Sequence, residues 1–366
     1  MVAVFLLYVQ PVKTDDRIRG VMAALLAAAL FGASTPFSKL LLGRVDPLLL
    51  AGLLYLGSGV GLAVGIGLRR LSGKNDNETG LQRQDWLWLG LAILAGGIVA
   101  PILLLFGLRL TPASSASLLL NLEGVLTALL AWFGFKENFD RRILLGMIAI
   151  LAGGVLLSWQ SRVTLGVPWG SLGICGACFC WAVDNNLTRK VSAANPMHVA
   201  AIKGLVAGTV NVGLAIATGA TIPGAPEIVA AGVVGVMSYG ISLTSFVLAL
   251  RHIGTARTGA YFSTAPFIGA ALSLIILHEQ PSALFWVAGG LMAMGVWLHL
   301  TERHIHAHHH EAMTHEHLHF HDEHHQHAHQ PTDPPGEPHS HVHHHPELTH
   351  THPHFPDIHH RHRHDS

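Results

Sequence analysis

Charge is scarce in this chain. Only 12% of its 366 residues are Asp, Glu, Lys or Arg, about half the share usual in globular proteins. Half of the residues are hydrophobic and the mean hydropathy is +0.42, although the C-terminal stretch is strongly polar. A water-soluble fold cannot hide apolar runs of membrane-spanning length. Soluble enzymes, nucleic-acid-binding proteins and secreted disulfide scaffolds are excluded on that ground. Cysteine is equally sparse: Cys175, Cys178 and Cys180 all lie in one apolar run, so disulfides have no evident part. A phosphate-binding GxxxxGKS/T loop is also missing, which leaves an ion gradient or a solute gradient as the energy source for any transport.

What is present is a series of ten apolar runs, each near the roughly 20 residues needed to cross a bilayer as a helix. They are approximately 20–42, 47–68, 86–108, 110–135 and 143–160, then 167–187, 197–219, 228–250, 258–277 and 282–300. With the N-terminus placed in the cytoplasm, 17 of the 22 Lys and Arg fall on the cytoplasmic side and four on the outer side, with Lys203 inside a span. That asymmetry predicts a multi-pass protein of the bacterial inner membrane with both termini cytoplasmic. Residues 1–19 are expected to be a cytoplasmic segment; its apolar start, Met1–Gln10, is too short to span and has no positive region before it, so it does not read as a signal peptide.

The spans repeat. A shift of 142 residues places Leu108-Arg109 on Leu250-Arg251, Glu137 on Glu279 and Gly153 on Gly295. A shift of 149 to 150 places Pro47 on Pro196, Phe31 on Trp181 and Ser38-Lys39 on Thr188-Arg189. Each unit, 20–160 and 167–300, holds five spans, an odd number, so successive copies must insert with opposite orientation. Such inverted repeats are characteristic of secondary transporters. The expected fold is all-α: ten transmembrane helices in two inverted five-helix repeats, followed by a cytoplasmic tail.

The stretches Leu25–Lys39 (LLAAALFGASTPFSK), Leu118–Glu137 (LLLNLEGVLTALLAWFGFKE) and Cys180–Lys190 (CWAVDNNLTRK), with the repeated Glu137 and Glu279, resemble the drug/metabolite transporter superfamily in its EamA-type branch. The resemblance covers about residues 20–300 and leaves out the tail. It implies membrane transport in a lipid bilayer of a small-molecule solute, with no enzymatic reaction and no nucleic-acid partner. It does not name a cargo.

Several residues within the spans are candidates for chemistry. Glu123 stands near the middle of the fourth span, where an ionisable group is costly and marks a functional site by default; it is a candidate for proton exchange, and Asn121 beside it for orienting solute. The bland reading of Glu123 is a neutral acid hydrogen-bonded for packing. Asp184 and Lys203, each about 8–9 Å inside the membrane from the cytoplasmic ends of adjacent spans, are placed to pair, and Asn185 and Asn186 add hydrogen-bonding groups there. This set is equally open to a substrate site and to a structural ion pair. Pro36, Pro101 and Pro266 weaken helices at mid-span and free carbonyls. Gly57, Gly61 and Gly65 carry the small-xxx-small spacing of close helix contact.

Residues 304–366 contain 25 of the 29 His, nine acids and two Arg, a charge of −7 with neutral imidazoles. That composition predicts disorder. Neutral imidazole is a transition-metal ligand, and His-X-His recurs throughout. The candidate ligands are His304, His306, His308, His315, His317, His319, His324, His325, His327, His341, His343 and His345, for Zn, Ni, Co or Cu. No resident cofactor is otherwise implied. The HExxH pattern at His315–His319 is what such a density of His produces by chance. Two alternatives to an organic-solute carrier stand beside it: a divalent-metal exporter fed by the tail, and a membrane-anchored metal sensor or buffer. Against the exporter, the spans offer few ligands, with Glu123 central and His299 at an edge.

Overall fold

The computed structural model describes residues 14–72, 81, 83, 85–135, 141–160, 168–188, 191, 195–301, 304–310, 313–319, 339–345 and 348–354. Two units separate at Leu300. The first is helical throughout. It opens with α1 (Thr14–Leu41) and α2 (Pro47–Leu71), followed by a long helix built from α3 (Asp85–Ala92), a π-helical turn π1 (Ile93–Val99) and α4 (Ala100–Leu110). A helix in two parts, α5 (Ala113–Leu119) and α6 (Leu122–Phe135), and α7 (Arg141–Gln160) complete the first half. The second half has α8 (Trp169–Thr188), α9 (Pro196–Ala217), then α10 (Ala225–Gly235), π2 (Val236–Ile241) and α11 (Ser242–Phe262), and finally α12 (Ala265–Ile276) and α13 (Ala283–Leu300).

Among the described residues, seven helices are long and apolar enough to cross a membrane, and the helices at Ala265–Ile276 and Ala283–Leu298 are apolar but shorter. Large apolar side chains such as Leu68, Leu87, Val155 and Trp159 stand exposed on the outside of the bundle. Water would not tolerate such a surface; lipid does. Inside, Leu50, Leu89, Leu105, Leu108, Leu119 and Leu157 are all but fully enclosed.

The repeat read from the sequence reappears in local structure. Asp46 accepts from the Leu48 and Leu49 N–H groups at the start of α2, and Asn195, 149 positions later, accepts from those of Met197 and His198 at the start of α9. In both cases a proline follows at the first helical position, where its missing N–H costs nothing. The π-helical turns also match, with Ile93 and Val236 separated by 143 positions. Packing partners come in mated pairs: α1 lies on α11 and α12, as α8 lies on α4 and α6. The pairs α2 with α9, α7 with α13, and α5 with α12 join the two halves.

Without a hydrophobic force between helices in lipid, close backbone approach has to hold such pairs. Gly59 meets Gly204 across α2 and α9, where a Cβ on either would come within 2.9 Å of the other helix's backbone. Gly153 and Gly295, one pair of the repeat, sit against α13 and α7 respectively. Gly57 and Gly61 pack on Gly232 and Val236, as their spacing predicts, whereas Gly65 has nothing nearby.

Two boundaries differ from expectation. The fourth apolar run is not one helix: it breaks at Leu120–Asn121, between α5 and α6. In the second half, α11 runs without interruption through the expected connection at 251–257 and ends at Phe262. Pro112, which separates α4 from α5, has Gly254 at the matching position, and a glycine leaves the helix its N–H. Chain breaks at Leu120–Asn121 and Ser263–Thr264 therefore fall at corresponding places of the repeat.

The second unit departs from the disorder predicted for it. It carries β1 (His304–His310), β2 (Met313–His319), β3 (His339–His345) and β4 (Leu348–His354). β1 pairs antiparallel with β4 and β2 with β3. The alternation of His with Ile305, Thr314, Leu318, Val342 and Thr351 is a period-two pattern, which suits a strand. His304, His306 and His308 are in register with His354, His352 and His350, and His315, His317 and His319 with His343, His341 and His339. His324, His325 and His327 lie outside the described residues, as do Met1–Gln10, Glu137 and Arg189.

Candidate functional site

The site is organised around π1. Pro101 has no N–H to give back to the preceding turn, so the carbonyls of Gly96 and Gly97 lose their helical donors. Inside a membrane such groups must find partners within the protein. Tyr55 Oη on α2 donates to the Gly96 carbonyl at 2.8 Å, and Trp181 Nε1 on α8 donates to the same oxygen at 3.0 Å. Asn211 Nδ2 on α9 donates to the Gly97 carbonyl at 3.1 Å. One interruption in one helix thus fixes three others.

Three consecutive residues of α8 then divide the work. Asp184 takes Lys203 Nζ on both carboxylate oxygens at 2.6 Å, and Thr188 Oγ1 donates to it at 2.8 Å. The pair is nearly enclosed, with side-chain exposures of 8% and 18%. The Asp184 carboxylate also rests directly against Gly96, which has no room for a Cβ. Asn185 Nδ2 donates to Glu123 Oε1 at 2.9 Å and to Thr127 Oγ1 at 3.4 Å. Asn186 Nδ2 donates to the Thr127 carbonyl at 3.3 Å and to the Ala182 carbonyl at 2.8 Å. α8 is thereby bonded to α9 on one side and to α6 on the other.

Of the residues singled out in the sequence, Glu123, Asp184, Asn185 and Lys203 come together. Asn121 does not join them through a side-chain bond. It is buried, and its Nδ2 donates 2.8 Å to the Leu118 carbonyl, holding the break between α5 and α6. Glu123 is half-buried and Asn185 exposed, so this edge of the cluster is not closed over by neighbouring helices. Cys175, Cys178 and Cys180 are free thiols. Among the residues whose side chains are described, no three His, Cys, Asp or Glu converge in a way that holds a metal ion.

Sequence reasoning missed the aromatic wall beside this cluster. Tyr55 and Tyr239, the latter in π2, have ring centroids 5.6 Å apart, and Phe31 of α1 lies 6.0 Å from Tyr239. Phe31 also meets Phe262 at 5.4 Å, and Phe262 meets Phe246 at 4.9 Å. It missed Asn211 as well, which is fully buried and keeps an Oδ1 without a partner among the described residues. The signal for Tyr55, Trp181 and Asn211 was Pro101 behind two glycines, because the freed carbonyls needed donors.

A second polar cluster lies at one end of the bundle. Lys39 Nζ donates to the carbonyls of Leu108, Arg109 (3.3 Å) and Thr111 (2.8 Å), around the end of α4. Glu279, after α12, accepts from the N–H groups of Ala113 (2.6 Å) and Ser114 (2.9 Å) and from Ser114 Oγ (2.5 Å). Both close over the connection between α4 and α5.

The chain matches the EamA-like transporter family twice, over residues 18–159 and 168–301. It is 28% identical over 295 residues to an uncharacterized transporter of Methanothermobacter thermautotrophicus, covering 77% of this chain and 86% of that one. A shorter likeness, 42% over 82 residues, reaches a probable 4-amino-4-deoxy-L-arabinose-phosphoundecaprenol flippase subunit, ArnE, of Pseudomonas aeruginosa, covering 22% of this chain and 69% of the flippase subunit. A crystal structure with 21% identity superposes with a TM-score of 0.56 over 78% of this chain and 95% of its own, a likeness of fold. With one family match on each half of the helical unit, the chain belongs to the EamA-like transporter family of the drug/metabolite transporter superfamily.

Proposed function

We propose that the protein is a secondary carrier that moves a small organic solute across the bacterial inner membrane by alternating access between two inversely oriented five-helix halves. The observation that carries the reading is the Glu123–Asn185 contact at 2.9 Å. It sets a carboxylate and an amide at the open edge of the cluster, beside two π-helical turns that correspond in the repeat. Helix interruptions near mid-membrane, lined by polar groups from both halves, are the usual binding sites of carriers built from inverted repeats. Asp184 and Lys203 serve this site by fixing α8 against α9. The basic-residue count puts the Lys39–Glu279 cluster on the outer side and both termini in the cytoplasm.

The tail is proposed to bind transition metals. Its support is the density of His and the facing register of His304, His306 and His308 with His354, His352 and His350. It is an accessory to the carrier rather than its channel, since the bundle offers no set of three ligands among the described side chains. Counterflow in proteoliposomes decides the carrier reading: vesicles preloaded with unlabelled solute should accumulate the same labelled solute, tested over cationic, neutral, zwitterionic and anionic panels and over Zn and Ni ions. Flux of metal alone would replace this reading with a metal exporter. Absence of any flux from folded protein would remove the carrier assignment.

A further inference from the structure

The charges around the site are unequally satisfied. Lys203 gives its ammonium to both oxygens of Asp184, so among the described residues no free cation is left in the cluster to receive an anionic solute. Glu123 receives only the neutral amide of Asn185 and, among the described residues, no basic side chain. The cluster of two acids and one base therefore carries one uncompensated carboxylate. That carboxylate is the half-buried one, and its amide partner Asn185 is exposed.

The neighbouring wall is aromatic and also half-buried. Asp184 rests on Gly96, the Gly96 carbonyl takes Tyr55 Oη, and the Tyr55 ring meets Tyr239, which meets Phe31. Phe262 continues the wall from Phe31. Because the Tyr55 hydroxyl is committed to a backbone carbonyl, what this residue has left to offer is its ring face. Aromatic faces attract cations by their quadrupole, more strongly when the site excludes water.

Resting on the carrier reading above, we infer that the cargo is an organic cation, an amine or quaternary ammonium on an apolar or aromatic body, its charge meeting Glu123 and its body meeting Tyr55, Tyr239, Phe31 and Phe262. An anion is repelled by Glu123 and finds Lys203 occupied. A neutral solute leaves Glu123 without compensation, and a zwitterion brings a carboxylate that meets no free base among the described residues.

The test uses the full-length protein and permanently charged probes, which do not leak as neutral forms. Binding of phenyltrimethylammonium and tetraethylammonium is measured calorimetrically in detergent and their counterflow in proteoliposomes, beside phenylacetate, phenylalanine and benzyl alcohol. The cations should bind and exchange. Glu123→Gln should weaken them about 10- to 100-fold, equivalent to the roughly 1.4–2.8 kcal/mol of one charge-assisted contact. Glu123→Asp should retain more binding than Glu123→Gln, and Tyr239→Leu should lower affinity for the aromatic cation more than for tetraethylammonium. Thermal unfolding of each variant in detergent separates misfolding from lost recognition. Exchange of phenylacetate, phenylalanine or benzyl alcohol in preference to the cations would overturn the cargo class and leave the carrier standing. Cation affinity unchanged in folded Glu123→Gln would also overturn it. No exchange of any solute would instead strike the carrier reading itself.

Discussion

Replacing Glu279 by Gln should open one end of the bundle. The carboxylate accepts three hydrogen bonds, from the Ala113 and Ser114 N–H groups and from Ser114 Oγ, at 2.6, 2.9 and 2.5 Å. A glutamine keeps one acceptor oxygen and loses the charge. Charge-assisted bonds contribute about 1.5–3 kcal/mol each at best. Glu279 is only half-buried, and water competes for it, so a net loss of about 2 kcal/mol is expected for the set. A carrier that closes its two ends in alternation converts that loss into a change of about 30-fold in the ratio of open to closed states at this end. The reporter is a cysteine at Ser34, which is 5% exposed, in a background lacking Cys175, Cys178 and Cys180. Labelling by a membrane-impermeant maleimide from the outer face of oriented vesicles should rise about 30-fold in Glu279→Gln, and in the same direction in Lys39→Met, whose ammonium holds the α4 carbonyls. Labelling from the opposite face should fall. Unchanged labelling from both faces, with the protein folded, would refute the idea that these contacts close an end.

Three further outcomes follow from particular contacts. Gly96→Ala pushes a methyl group into the Asp184 carboxylate and should destabilise the bundle by about 1–3 kcal/mol, read as a lower unfolding temperature in detergent. Lys203→Met leaves Asp184 buried without a counter-charge and should cost about 3–5 kcal/mol, whereas the double variant with Asp184→Asn should recover most of it. A double-mutant cycle by chemical denaturation checks this, and additive losses would deny the pair its coupling. Truncation after Glu302 should remove high-capacity Zn and Ni binding while leaving solute exchange intact, as measured by calorimetry and counterflow. In the intact chain the metal should be held above the imidazole pKa of about 6.5 and released as pH falls below it, because protons compete for the same nitrogen.

The central site was half legible in the sequence. Glu123, Asp184 and Lys203 stood out because a charge in an apolar run is costly and needs a reason, and helix depth alone allowed the Asp184–Lys203 pair. Asn121 looked equivalent to them by proximity to Glu123. Yet it is spent on the Leu118 carbonyl, because the chain breaks there and a freed carbonyl must be satisfied. Tyr239, Phe31 and Phe262 gave no signal, since an aromatic residue in an apolar span reads as filling. The tail shows the reverse. Composition argued against any ordered pairing, while its His-X-His alternation already held the period of a strand.

Membrane insertion, the duplication and the family are written into local chemistry: runs of apolar residues, Pro47 and Pro196 behind matching caps, Glu137 and Glu279 in register. These depend on neighbours within a few positions, so a linear reading captures them. Which side chains meet around π1 depends on α2, α6, α8 and α9 arriving from distant parts of the chain. The contacts of Tyr55 with Gly96 and of Asn185 with Glu123 cross 41 and 62 residues. Only packing decides such meetings, because helix rotation and close approach at glycines, rather than any single residue's preference, determine which face looks inward.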